Sequence, residues 1–222
     1  MFFILLFFLR ERFFWKKEGM RERRTVGLAS GKEVAERMLA EAGIEGVAVV
    51  PGDRVIERYY YSPGKKRIVI SSHAAYNSGY YEVMRAATTT ANALQHRDGF
   101  GMIDLYLRLA PAMEWMSRLL PLLFVFGITL VEFNPPLVLG LMLGVWVLMF
   151  LAALLMRPVD RDASRRGTEW LLAHGIVDDG DRAELERIGR YLANYNLMLV
   201  ALSVAALLFL RAKIWYPSDK SV

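Results

Sequence analysis

The apolar positions of this 222-residue chain follow two different patterns. From about residue 30 to residue 115 they recur at helix or strand spacing inside polar sequence. Elsewhere they run on almost unbroken: Phe2–Leu9, Leu119–Val131, Leu137–Met156 and Leu192–Leu210. Leu137–Met156 has the length of about 20 residues that a helix needs to cross a hydrocarbon core. Leu119–Val131 is shorter but extends through Phe133, with Arg118 able to snorkel. The two predict a helical hairpin around the turn Glu132-Phe133-Asn134-Pro135-Pro136, and Leu192–Leu210 predicts a third span. Phe2–Leu9 is too short to cross; with Phe13-Phe14-Trp15 it predicts a half-inserted N-terminal anchor.

The polar part reads as a small helix-and-sheet unit. Ser30-Gly31-Lys32-Glu33 forms a capping box that opens a helix through Glu41, stopped at Gly43. Val34, Met38 and Leu39 mark its buried face. Val47–Val50, Arg54–Tyr61 and Arg67–Ser71 are strand-like runs, with Ser62-Pro63-Gly64-Lys65 as the turn between the last two. A longer helix is expected from near Tyr80 to Asp98-Gly99. Its centre, Ala86 to His96, reads Ala-Ala-Thr-Thr-Thr-Ala-Asn-Ala-Leu-Gln-His. Three consecutive threonines are poor helix formers because β-branching restricts χ1, so this helix should be buried and held by tertiary contacts. Met102–Trp115 is amphipathic and is expected to lie along a membrane surface. Asp178-Asp179-Gly180-Asp181 caps the helix that leads into the third span.

The fold class expected is therefore an α-helical integral membrane protein with a small cytosolic α+β segment, about three transmembrane helices and an N-terminal anchor. The parts are an anchor and basic flank (1–24), an α+β part (25–100), an interfacial helix with the hairpin (101–156), a cytosolic helical segment (157–190), and a third span with a tail (191–222).

Charge sets the expected orientation. The net charge is +5, and 55% of residues are apolar. Lys16, Lys17, Arg21, Arg23 and Arg24 follow the anchor, and Arg157–Arg190 is rich in Arg again, whereas the hairpin turn has no Lys or Arg. Cytoplasmic flanks collect Lys and Arg, so residues 16–118 and 157–190 are assigned to the cytoplasmic side of a bacterial inner membrane. Basic flanks of this kind account for the charge without nucleic acid. The chain has no cysteine, which excludes a disulfide framework and thiolate chemistry.

Two segments carry a family resemblance. Ala86–His96 resembles the Ala-His-Glu-x-Gly-His-Ala-Ile-Gln-His segment of the integral-membrane neutral zinc metallopeptidases. Ala87 and then Ala93, Leu94, Gln95 and His96 fit that pattern. Thr88 and Asn92 stand where the family has its two metal-binding histidines, and Thr89 where it has glutamate. Residues 88–92 thus read Thr88-Thr89-Thr90-Ala91-Asn92. Arg157–Arg166 is similar to the family's Pro-Val-Glu-Phe-Asp-Ala-Ser-Arg-Arg-Ala, through Pro158, Val159, Asp162, Ala163, Ser164, Arg165 and Arg166. Asp160 stands at the glutamate taken as the family's third ligand. Ser30-Gly31-x-Glu33-Val34-Ala35 with Leu39, Tyr61 with Pro63, and Trp170–Gly175 follow further family patterns. The resemblance covers roughly residues 30–210 and implies a zincin-like membrane metallopeptidase architecture.

A zinc motif of this kind needs two imidazoles at i and i+4 and a carboxylate to activate water. Those groups are replaced here, so the sequence leads to an expectation of a catalytically inactive relative, with no zinc, other metal or cofactor. Thr88, Thr89, Asn92 and Asp160 would be vestigial positions. The expected role is an accessory subunit whose partners are other membrane proteins, an active paralogue or an unrelated complex, together with the lipid bilayer. The alternatives are a hydrolase rebuilt around Asp160 and His96, and a peptide- or lipid-binding module. Ser72, Ser164 and Thr88 lack a positioned base and read as caps or packing residues. Tyr59, Tyr60, Tyr80 and Tyr81 form an aromatic zone that could be an interaction surface, a membrane-interface belt or core.

Overall fold

In a computed structural model of the chain, the residues described are 25, 28–52, 59–113, 115–116, 135–198 and 200. The chain divides into two compact units, one of residues 16–111 and 156–194, the other of residues 1–15, 112–155 and 195–222.

The first unit begins with α1, Gly31–Glu41, opened by the capping box: Ser30 Oγ accepts from the Glu33 amide and Glu33 Oε2 accepts from the Ser30 amide at 2.8 Å. Val34, Ala35, Met38 and Leu39 are buried, at the helical spacing of one face. Three short strands follow: β1 Ala48–Pro51, β2 Tyr60–Ser62 and β3 Arg67–Ile70. The sheet order is β1-β3-β2, with β1 parallel and β2 antiparallel to the central β3. Pairing of Tyr61 with Ile68 sets the hairpin register, with both side chains in the core. After the short helix α2, Ser72–Tyr76, comes α3, Tyr80–Arg97.

Helix α3 is the centre of this unit, buried over almost its whole length from Tyr80 to Gln95. Its small residues permit close approach, and Ala86 and Ala93 pack with Ala35, Leu39, Ile68 and Ile70. A Cβ on Gly31 would lie 2.6 Å from the Ala74 carbonyl oxygen, so only glycine lets α1 sit this close. Two of the three threonines satisfy their hydroxyls within the helix. Thr89 Oγ1 donates to the Arg85 carbonyl at 2.8 Å and Thr90 Oγ1 to the Ala86 carbonyl at 2.9 Å. The helix ends at Asp98, with Gly99 at φ +67° taking the left-handed position that closes it. Residues 103–113 form α4.

A single helix, α5, runs Pro135–Ala173 straight through Pro158. The expected boundary at Met156 and Arg157 is therefore not a helix end. Proline removes one backbone bond, but ion pairs one turn apart support the helix beyond it: Arg165 with Asp162 and Glu169, and Arg166 with Asp162. A short 3₁₀ turn, Asp179–Asp181, then leads into α6, Arg182–Ala193.

In the second unit, the first part of α5 has two faces. Met142, Trp146, Met149 and Ala153 are buried at alternating spacings of three and four, while Leu141, Val147, Leu148, Leu151 and Leu155 are exposed. Among the described residues, α5 is the one helix long and apolar enough to cross a membrane. Of the three expected spans, this is the one the described residues contain. Residues 119–131 and the anchor at 1–24 lie outside the described residues. Of the third span, α6 ends at Ala193 with Asn194 as its cap, residues 195–198 are helical again, and 201–210 lie outside the described residues. The polar Asn194 breaks the expected continuous run by bonding the Arg190 carbonyl at 2.7 Å and accepting from Arg157 Nε at 3.0 Å.

Candidate functional site

The candidate site lies within the unit of residues 16–111 and 156–194, where α3 meets α4 and the later part of α5. Gly167 makes the approach of α5 possible: a Cβ there would stand 3.2 Å from the Thr88 amide nitrogen and 3.3 Å from Ala87. Thr88 and Asn92 are one turn apart on α3, and both are buried, as is Asp160 on α5.

From α4, Tyr106 joins them. Its hydroxyl donates to Asp160 Oδ1 at 2.8 Å, and the Asn92 side chain is hydrogen-bonded to the same hydroxyl. Burial first, and then the neighbouring Asp160 carboxylate, push the Tyr106 pKa well above that of an ordinary tyrosine; Arg85 and Asn92 pull it back in part. Thr88 Oγ1 and Asn92 Oδ1 are buried with no hydrogen-bond partner among the described residues. The site is thus a polar cluster of one carboxylate, one phenol, one amide, one hydroxyl and a nearby guanidinium. It can accept and donate hydrogen bonds, and two of its atoms await a partner.

A second network fixes the helices on either side. Gln95 Nε2 donates to the Val159 carbonyl and to Asp162 Oδ2, each at 3.0 Å. Asp162 accepts from Arg165 at 2.6 Å and from Arg166 at 2.7 Å, and Arg166 reaches Asp98 at 2.5 Å. The bonds from Arg166 and then Arg97 hold the Asp98 carboxyl below its usual pKa. These contacts fix the axial position of α5 against α3, and with it the position of Asp160.

His96 does not join Asp160 through any contact of its own. Its Nδ1 lies 3.4 Å from the Tyr61 hydroxyl and its Nε2 3.6 Å from Asp104. The four tyrosines of the aromatic zone do not share a surface. Tyr80 and Tyr81 are buried, the first donating to Asp181 at 2.9 Å and the second edge-on to Tyr191. Tyr59 lies 2.7 Å from the Ser71 hydroxyl and under the Arg85 guanidinium, while Tyr60 accepts from Arg67 at 3.2 Å. Sequence reasoning missed Tyr106 and Arg85. Tyr106 is one aromatic on an amphipathic helix, and no spacing rule connects it with Asp160, 54 residues away.

Comparison with known proteins identifies the frame. Residues 2–215 match the family described as "Putative neutral zinc metallopeptidase". The chain belongs to this family. It is also 24% identical over 163 residues to the "Putative membrane protease YugP" of Bacillus subtilis (strain 168), covering 72% of this chain and 69% of that relative. No solved structure matches the chain. The family and relative, together with the apolar α5, make this a membrane-associated, zinc metallopeptidase-like chain.

These findings correct one expectation. Replacement of the His-Glu-x-x-His positions led to the expectation of no enzyme, whereas the family and the relative carry peptidase and protease names. Loss of one ligand pattern tests only the chemistry of that pattern.

The family's name implies zinc, and the residues present do not fit it. Zinc is held by imidazole, thiolate and carboxylate groups, usually with at least two nitrogen or sulfur donors. At the matching positions stand a neutral hydroxyl, a neutral amide and one carboxylate already bound by Tyr106. Thr89, at the glutamate position, gives its hydroxyl to the Arg85 carbonyl. The histidines bond elsewhere: His73 lies beside Glu82, His96 beside Tyr61 and Asp104, and His174 beside Glu41 at 2.8 Å. Among the described residues no three metal-binding side chains cluster.

Proposed function

We propose that this chain engages polypeptide at the polar cluster of Asp160, Tyr106, Asn92 and Thr88, on the cytoplasmic face of a bacterial inner membrane. It works there beside other membrane subunits. The observation that carries this reading is the pair of buried, unpartnered polar atoms, Thr88 Oγ1 and Asn92 Oδ1, at the positions where the family pattern has its metal ligands. An amide oxygen accepts from a peptide N–H and a threonine hydroxyl donates to a peptide carbonyl, so the two atoms match a backbone. Polypeptide is also the class that the names of the family and of the B. subtilis relative share. The Lys and Arg asymmetry supports the cytoplasmic placement.

A second reading, peptide hydrolysis at the same cluster, is favoured by the family match. One experiment addresses both. The full chain, purified in neutral detergent, is mixed with an unstructured test protein and followed by chemical cross-linking and by mass spectrometry of cleavage products. Cross-links mapping to α3 and α4 that are lost in Asn92→Ala support polypeptide engagement, and cleavage products lost in Asp160→Asn add hydrolysis. Neither cross-links nor products with the wild-type chain would refute both.

A further inference from the structure

Beyond the candidate site, the later part of α5 and the facing side of α6 border a solvent-open cavity of about 260 Å³. Arg161 and Arg165 on α5, and Arg182 and Arg190 on α6, line it together with Glu169 and Glu186. Four guanidinium groups meet two carboxylates in the lining, and Asp162 and Asp179 stand against two of them from outside it. The pairing is uneven. Arg165 is bound to Asp162 at 2.6 Å and Glu169 at 3.0 Å. Arg190 stands 3.7 Å from Glu186, and Arg182 4.0 Å from Asp179. Arg161 has no ion-pair or hydrogen-bond partner among the described residues. Ser164 also lines the cavity, is 95% buried by its 5% exposure, and its Oγ has no partner among the described residues. Gly189 lets α6 pack closely here, since a Cβ there would stand 3.2 Å from Met84 Cε and 3.6 Å from Ser164 Cβ and Thr168 Oγ1.

We propose that this cavity binds a phosphate-type anion, as the headgroup of an anionic lipid or as free phosphate. An unpaired fork-shaped guanidinium on Arg161, beside the loosely paired Arg182 and Arg190 and one buried hydroxyl, is the chemistry that holds phosphate oxygens. The cavity is far larger than the ~10–15 Å³ of such volume that one water needs, which leaves room for a headgroup. Arg161 lies five residues beyond Met156, where the apolar run of α5 ends, or about 7.5 Å along the helix at 1.5 Å per residue. With α5 crossing the membrane, that is headgroup depth. Only the lipid source rests on that crossing; the anion site itself does not, nor does it rest on polypeptide engagement.

The test is thermal unfolding of the full chain in neutral detergent, titrated separately with phosphatidylglycerol, phosphatidylcholine and inorganic phosphate. The expected result is a saturable rise in Tm with phosphatidylglycerol and none with phosphatidylcholine. Arg161→Gln should then weaken the apparent affinity about tenfold and Ser164→Ala about threefold, both variants melting near the wild type without added anion. A saturable rise with inorganic phosphate alone, equally dependent on Arg161, assigns the site to free phosphate. Equal shifts with both lipids, no shift with either anion, or unchanged affinity in Arg161→Gln and Ser164→Ala would overturn the proposal.

Discussion

At the scale of single residues, the candidate site depends on one hydroxyl. Tyr106 supplies the proton that Asp160 Oδ1 accepts at 2.8 Å. Tyr106→Phe removes one hydrogen bond to a buried carboxylate and should lower stability by about 1–3 kcal/mol, read as a fall in Tm. In Asp160→Asn the side chain still offers an oxygen to the hydroxyl, so the loss should be smaller. A Tyr106→Phe variant as stable as wild type would show that the bond contributes nothing. The pKa of Tyr106 is raised in the folded chain, so its contribution is complete below the unfolded tyrosine value of about 10 and is lost as pH rises through the folded value. Alkaline unfolding should therefore shift to lower pH in wild type relative to Tyr106→Phe, once the difference in neutral-pH stability is subtracted. Asp98 acts at the other end of the scale. Its pKa is lowered by Arg166 and Arg97, so its contribution is present at neutral pH and fades as pH falls below the usual carboxylate range. None of the Tyr106 chemistry was legible in the sequence, because a contact between helices 54 residues apart leaves no local pattern.

At the scale of elements, the sequence was more readable. The capping box at Ser30 and Glu33, the buried face of α1 and the stop at Asp98-Gly99 are local signals, and each is present in the structure. They are legible because the atoms involved lie within one turn of each other. Ser30→Ala should cost about 0.5–2 kcal/mol, the worth of an N-cap. Gly31→Ala should cost about 1–3 kcal/mol, the range for overpacking, because its Cβ meets a backbone oxygen that cannot rotate away. Thermal unfolding of the two variants checks both, and a Gly31→Ala protein as stable as wild type would show that α1 has room to move. The continuity of α5 was not legible. Pro158 and the change from apolar to charged residues both signal an end, yet the helix runs on to Ala173. The ion pairs of Asp162, Arg165, Arg166 and Glu169, and the clamp from Gln95, are tertiary and medium-range supports that outweigh one missing backbone bond.

At the scale of the whole molecule, the chain keeps a family's frame with different groups at its centre. The match over residues 2–215 and the protease name of the B. subtilis relative place it among membrane metallopeptidases. The donors at the matching positions are a hydroxyl, an amide and a carboxylate bonded to a tyrosine. The proposed orientation can be checked directly, since the chain has no cysteine to interfere. A Lys65→Cys variant, placed in the exposed turn before β3, should stay unlabelled by a membrane-impermeant thiol reagent in intact cells and label after lysis. Labelling in intact cells would reverse the orientation. These oxygen and amide groups do not match the donors of a zinc centre. The most direct measurement is the zinc content of the full chain after incubation with zinc and removal of the excess by gel filtration. Less than about a tenth of a zinc per chain is predicted, as befits a donor set without imidazole or thiolate. Close to one zinc per chain, lost in Asp160→Ala, would contradict it.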